Sequence, residues 1–169
     1  MATVEPLSPS EEQMWRALMR IIKILPRYLD CDLVQSAGLT ASEYTTIMHL
    51  SEASNRGLRM ADLAEATGLS ASRTTRLVDD LQSRGLVTKR GSPADGRSNI
   101  AKLTVQGRAT LKTAWPVHLA SVRRRFFDHI DASAVQGTAE ALSAVAAKLE
   151  DSDLRRRVST HERRAESPR

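Results

Sequence analysis

The sequence predicts a mainly α protein with one small β-hairpin, and three observations carry that fold class. Apolar residues recur at helical spacing along most of the 169 residues. Ser/Thr-led helix starts and glycine stops punctuate that pattern. Between Arg84 and Thr104 the periodicity changes to short β-compatible runs around a tip dense in turn formers.

The elements follow in order. Ser8-Pro9-Ser10-Glu11 opens a first helix, its acids suited to the positive end of the helix dipole. Met14, Leu18, Ile21, Ile22, Leu25 and Leu29 then recur on one side, and the helix ends before Gly38. Thr40 caps the next helix, with Glu43 three residues on as its capping-box partner, and Tyr44, Ile47, Met48 and Ser51 share one side. Asn55-Arg56-Gly57 breaks the pattern.

A short helix over Met60–Thr67 is stopped by Gly68, and Ser70 caps the helix that follows it. Two helices joined by a short Gly-containing turn make a helix-turn-helix. In the second, Thr74, Leu77, Val78 and Leu81 form an inner stripe. Ser72, Arg76, Asp79 and Ser83 point the opposite way, flanked by Arg73 and Thr75. The outer face therefore starts with hydroxyls and guanidiniums, at the end that a recognition helix presents to base edges.

Leu86–Arg90 and Asn99–Leu103 are the two strands of a hairpin whose long tip is Gly91–Ser98. Such a hairpin beside a helix-turn-helix is a wing. Arg97 near its tip suits a narrow minor groove, where the negative potential is strongest. Asp95 would repel phosphate, so its expected task is to brace an arginine by hydrogen bonding. After Thr104 a long helix runs to about His129, and Ala132–Leu149 forms another, with Val135, Ala139, Leu142, Val145, Ala146 and Leu149 as its stripe. The tail from Asp151 is polar, lacks periodicity and is expected to fray.

Charge is uneven along the chain. Residues 1–55 carry net −3, residues 56–112 net +6 and residues 113–169 net +2, so the middle third holds more than the whole surplus of +5. A concentrated positive segment attracts polyanions by its field and by counterion release. With 41% hydrophobic residues the chain can bury one ordinary core, no stretch reaches membrane-spanning length, and the N-terminus shows no secretory signal. The single cysteine, Cys31, fits a reducing cytoplasm.

Leu63-Ala64, Gly68-Leu69-Ser70, Thr75-Arg76-Leu77-Val78, Leu81, Arg84-Gly85-Leu86-Val87 and Asp95-x-Arg97 leading into Leu103-Thr104 resemble, as an ordered series, the MarR family of winged helix-turn-helix transcription regulators. The resemblance spans roughly Ser10 to Glu150. It implies a homodimer with winged helices at the base and the chain termini interleaved at the apex. It also implies binding of short pseudo-palindromes in double-stranded DNA, and release by a small ligand or by thiol oxidation. The corresponding division is an N-terminal dimerisation helix (10–38), a winged helix-turn-helix lobe (39–104), C-terminal dimerisation helices (105–150) and a flexible polar tail (151–169). The apolar helical surface outside the winged lobe supports a dimer independently, the alternative being that these helices fold back on their own domain.

The candidate DNA-binding residues are Ser70, Ser72, Arg73, Thr74, Thr75 and Arg76 from the helix and Lys89, Arg90, Asp95 and Arg97 from the hairpin. Arginines and hydroxyls read the major groove, Ser70 caps and touches phosphate, Lys89 and Arg90 hold backbone, and Arg97 enters the minor groove. Pro26 and Pro116 each remove a helical hydrogen bond and favour a kink, with Tyr28, Cys31, Trp115 and His118 nearby. The family's inducer pockets lie where these helices meet the winged lobe. The resemblance thus makes Tyr28, Met48, His49 and Trp115 candidates for holding an aromatic or anionic ligand, while a plain core role for the aromatics stays open.

Other chemistries find little support. Asp30 and Asp32 disfavour a Cys31 thiolate and so a redox sensor. His49, His118, His129 and His161 are far apart in sequence, so no metal site or cofactor is expected. No glycine-rich nucleotide loop and no nucleophile–base arrangement points to an enzyme. Arg123-Arg124-Arg125 suits a solvated helix edge with Phe126 and Phe127 turned inward. The expected protein is a cytoplasmic, homodimeric, ligand-released repressor. The competing reading is a ligand-binding or interaction module that keeps the fold without binding DNA, which would carry a neutral or acidic recognition face.

Overall fold

The computed structural model describes residues 5–53, 57–92 and 95–165, and the side chains within those ranges other than 92–98 and 152–165. The helices are α1 (Pro9–Ala37), α2 (Ala41–Glu52), α3 (Met60–Thr67), α4 (Ala71–Ser83), α5 (Val105–Arg125) and α6 (Ala132–Ala165). The strands are β1 (Leu58–Arg59), β2 (Val87–Ser92) and β3 (Asp95–Leu103). Two compact units divide the chain, one ending at Arg125 and the other starting at Phe126.

The caps determine where the helices begin. Ser8 and Thr40 each form a complete capping box, with Glu11 and Glu43 reaching back to the cap residue's own N–H, and Ser70 accepts from the Arg73 N–H. Gly38 and Gly68 end α1 and α3 in the left-handed conformation, at φ 63° and 66°, which glycine adopts without steric cost.

The core of the first unit gathers one stripe from each helix. Leu33 of α1, Ile47 and Leu50 of α2, Leu63 of α3, Val78 and Leu81 of α4 and Ala114 of α5 are buried with Leu39, Leu86, Val87, Ala101 and Leu103. Ser51, placed by spacing on the inner side of α2, is exposed, because the buried face turns instead through Glu43, Thr46 and Leu50. Leu77 is half-buried at the edge of the α4 stripe.

The sheet differs from the hairpin expected. It has three antiparallel strands in the order β1-β3-β2, with Leu58 opposite Ala101 and Val87 opposite Leu103. A two-residue strand gives no readable alternation, and Leu58-Arg59 joins the sheet because β3 offers it a backbone edge. The hairpin strands also run further than expected, β3 starting at Asp95, with a register shift between Gly91 and Ser92. Beyond the sheet, Thr104 makes the corner into α5: its Oγ1 donates to the Gly85 and Leu86 carbonyls and accepts from the Gly107 N–H at 2.9 Å.

Helices α1 and α5 are tied by charge as well as packing. Asp32 accepts from Arg125 through both carboxylate oxygens at 2.8 Å, and also from Arg124 and the buried Ser121. The Arg125 and Ser121 hydrogen bonds hold the Asp32 carboxyl well below the usual carboxylate range. The Arg125 guanidinium in turn lies over the Tyr28 ring at 4.5 Å. Arg125 is thus an internal strut rather than part of a solvated edge. Asp30 is likewise engaged, accepting from the Ala41 N–H at the start of α2.

Much of α1 faces solvent in the single chain: Met14, Trp15, Ile22 and Tyr28 are all at least half exposed. In the second unit a short 3-10 turn over Phe127–His129 precedes α6. Phe126 and Phe127 meet edge to face at 5.2 Å, and Phe127 is exposed rather than turned inward. By backbone the helix continues to Ala165. On α6, Leu142, Val145 and Leu149 are exposed.

Candidate nucleic-acid interface

Helix α4 is the element around which a reading site is built. Its inner stripe anchors it in the core, so the outer residues are held in a fixed direction. Thr74 lies on the anchored side: it is 1% exposed and its hydroxyl donates to the Ser70 carbonyl. It is a packing residue, removed from any direct DNA contact by the helix itself, which corrects its place among the candidate DNA-binding residues.

Ser72, Arg73, Thr75 and Arg76 are exposed on the first two turns. Ser70 Oγ accepts from Arg73 N–H at 3.4 Å and lies 3.4 Å from Ser72 Oγ. Thr75 Oγ1 donates to the Ala71 carbonyl, which leaves its lone pairs free to accept. Among the described residues no acid pairs with Arg73 or Arg76. Two unpaired guanidiniums at a helix N-terminus, where the dipole is positive, constitute a local anion-attracting surface.

The wing adds to this surface unequally. Arg90 is exposed on β2, whereas Lys89 is largely covered and its ammonium pairs with Asp79 on α4. That pair fastens the wing to the reading helix, so Lys89 is engaged internally rather than held out for phosphate. Asp95 and Arg97 belong to β3 by backbone, and their side chains lie outside the described residues.

The four candidate ligand residues come from three helices, α1, α2 and α5. Tyr28 is half exposed beneath Arg125, Trp115 is 51% exposed on α5, Met48 packs against the core, and His49 sits 3.6 Å from Glu52. A different pair marks the α2–α5 seam. The Tyr44 and His118 rings lie 4.5 Å apart, and Tyr44 Oη and His118 Nδ1 are buried without a hydrogen-bond partner among the described residues. Unpaired buried polar atoms are costly and uncommon. Tyr44 is legible in sequence on the inner side of α2 and His118 near Pro116, but nothing in their spacing pairs them.

Burial pushes the His118 imidazole below its ordinary range. The folded protein then binds fewer protons at this site than the unfolded chain, so the stability associated with neutral His118 is complete above about pH 6.5, the ordinary histidine value, and is lost as pH falls below it. Urea midpoints are expected to drop more between pH 7.5 and 5.5 in the native protein than in His118→Phe. Equal drops in both would contradict a neutral, desolvated imidazole.

Among the described residues no group of three or more His, Cys, Asp or Glu is placed to hold a metal ion, and no helix is long and apolar enough to cross a membrane.

Known proteins share this arrangement. The family model described as MarR family matches residues 37–98, from the end of α1 through the wing. Among solved structures, AbsC, a MarR family transcriptional regulator from Streptomyces coelicolor, is 32% identical with a TM-score of 0.78, covering 88% of this chain and 99% of its own. The chain belongs to the MarR family. That family is one of transcriptional regulators, not of enzymes. Its mostly helical fold with a small three-stranded sheet is the MarR winged-helix architecture. The MarR regulator Sco3205 from the same organism, solved in complex with DNA, is 29% identical at TM-score 0.79, with 88% of this chain and 93% of that chain covered. CouR from Rhodococcus jostii RHA1, solved bound to p-coumaroyl-CoA, is 26% identical at TM-score 0.67, with 83% and 96% covered. The chain spans about half the length of the curated relatives it matches, repressors from Bacillus subtilis and Escherichia coli.

Proposed function

We propose that the protein is a homodimeric, sequence-specific DNA-binding repressor of the cytoplasm that a small molecule releases from its operator. The observation that carries this reading is the outer face of α4, where Ser72, Arg73, Thr75 and Arg76 stand exposed and, among the described residues, without acidic partners on a helix capped by Ser70 and anchored by Thr74, Val78 and Leu81. Those side chains suit the major groove: arginine is bidentate to guanine, and hydroxyls reach bases or phosphates. Arg90 adds a backbone contact and Arg97 on the wing a minor-groove contact. Sco3205, solved on DNA, supports this use of the fold.

The dimer is supported by the apolar residues left exposed on α1 and α6, which a second copy would cover. On this reading residues 10–38 and 105–150 pair the two chains, 39–104 reads DNA and 151–169 is an appended basic tail. The ligand arm is supported by CouR and by the unpaired Tyr44 and His118 atoms between α2 and α5; Tyr28, Met48, His49 and Trp115, on α1, α2 and α5, are the further residues assigned to a site for an aromatic or anionic molecule.

Selection of the full-length chain on random-sequence DNA is expected to return an inverted repeat whose half-site centres lie about 34 Å apart, one turn of duplex, as two-fold symmetry requires. Light scattering is expected to give twice the 18.6 kDa chain mass. A monomeric mass, or no enriched sequence, would overturn the reading in favour of a winged-helix module without DNA function. Aromatic carboxylic acids are the first molecules to test for release, and a panel that leaves DNA affinity unchanged would remove the ligand arm alone.

A further inference from the structure

Arg84 follows the last turn of α4 and reaches two places far away in sequence. Its Nη1 donates to Glu43 Oε1 at 2.8 Å, and its Nη2 donates to the Gly38 carbonyl at 2.9 Å. Glu43 is 8% exposed and also accepts from the Thr40 N–H, completing the cap of α2. Gly38 is the left-handed residue that ends α1. One guanidinium therefore joins the C-terminal end of α4 to the point where α1 stops and α2 starts. Its planar, forked donors suit two acceptors held at fixed positions, a geometry that the single ammonium of lysine does not reproduce.

The two ends of α4 are held in different ways. Near its N-terminus the helix is held by the burial of Thr74, and Val78 and Leu81 carry the stripe on into the core. At the other end Arg84 is the polar link to α1, with Asp80 3.7 Å from the same guanidinium. Helix α1 is in turn locked to α5 by Asp32, Arg124 and Arg125. A tilt of α4 relative to α1 therefore has to stretch the Arg84 bridge.

We infer that Arg84 is a positioning residue for operator recognition: by tying the reading helix to the end of α1, it sets the spacing at which two half-sites are accepted. The inference rests on the DNA-binding dimer proposed above. If α1 pairs the two copies, the angle between α1 and α4 sets the separation of the two reading helices. Base preference within each half-site belongs to Arg73, Arg76 and their neighbours, and is separate from it.

The test uses the full-length protein and a set of operators that share the selected half-site and differ only in the spacer, lengthened or shortened one base pair at a time. Arg84→Ala leaves Glu43 buried without its partner, so Arg84→Lys is run beside it to keep the charge while losing the fork. In both variants the preference for the best spacer over its neighbours is expected to fall by about fivefold or more, the size of an ordinary coupling between sites, while the ranking of bases within the half-site is kept. A variant that binds every spacer more weakly by one common factor, or Arg84→Lys with the native spacer profile, would overturn the inference and leave Arg84 a stabilising residue. Failure of the native protein to bind any operator would instead defeat the DNA-binding reading itself, an outcome visible before any variant is made.

Discussion

Gly107→Ala is expected to lower the stability of the protein by about 3 kcal/mol, the upper part of the range for overpacking a filled site. Alanine is the better helix former, and on an open surface the change would add about 1 kcal/mol to a helix. Here a Cβ on Gly107 would lie 2.1 Å from the Leu86 carbonyl oxygen and 2.6 Å from Leu103 Cδ1. The carbonyl is backbone and cannot swing aside, because it already accepts from the Thr104 N–H and hydroxyl at the corner between sheet and helix. Sterics therefore outweigh propensity, and α5 has to lift away from the base of the wing. For a chain of this size the melting temperature should fall by roughly 6–12 °C. Gly137→Ala, with no atom within 4 Å of the added Cβ, serves as the control in a helix of the second unit. A Gly107→Ala protein that melts with or above the native one would show that the corner is loose.

Arg73→Ala and Arg76→Ala are each expected to weaken operator binding by about ten- to a hundredfold, since a bidentate arginine–guanine pair contributes roughly 1–3 kcal/mol of discrimination. In a two-fold complex each substitution acts in both half-sites, which pushes the effect toward the larger figure. Both residues are exposed, so melting temperatures should stay within about 1–2 °C of native, as for surface changes generally. The informative readout is sequence preference. Removing a side chain that holds phosphate weakens all sequences alike and reduces the salt slope by about one, whereas removing one that reads a base flattens the preference at one position of the half-site. If competition titrations with substituted operators show the native base ranking for both variants, the outer face of α4 reads no bases and the assignment fails. The two variants separate the roles further, because Arg73 stands on the first turn beside Ser70 and Arg76 one turn on.

The part of the fold legible in the sequence is local. Ser8, Thr40, Ser70, Gly38 and Gly68 mark helix ends through bonds made within a few residues, and all five mark ends in the structure. The orientation of α4 is equally readable, since a stripe at helical spacing fixes which residues are left outside. Thr74 belongs to that stripe, so the periodicity that exposes Arg73 and Thr75 also keeps Thr74 off the outer face, whatever its hydroxyl suggests. The features that escape a sequence reading are long-range. Arg84 meets Glu43 and Gly38 across more than forty residues, and Arg125 meets Asp32 across more than ninety. In sequence these are ordinary charges. The pairing of β1 with β3 depends on an edge that another part of the chain supplies. Tyr44 and His118 become a feature only once α2 and α5 are packed together.

The sheet also bears on association between chains. With the order β1-β3-β2, β3 meets β1 only at Ile100 and Ala101, and among the described residues the outer side of the six-residue β2 has no strand partner. An exposed strand of that kind is a template onto which another chain can add, and proteins discourage this with charge, above all lysine, along the edge. Strand β2 carries Lys89-Arg90 in its middle. Lys89 is paired with Asp79, so Arg90 is the charge that both repels a second wing and is proposed to draw the wing toward a polyanion. Neutralising Arg90 to probe DNA binding should favour self-association along the strand, and a turbid sample from that variant would report an uncovered edge rather than a weakened hold on the operator.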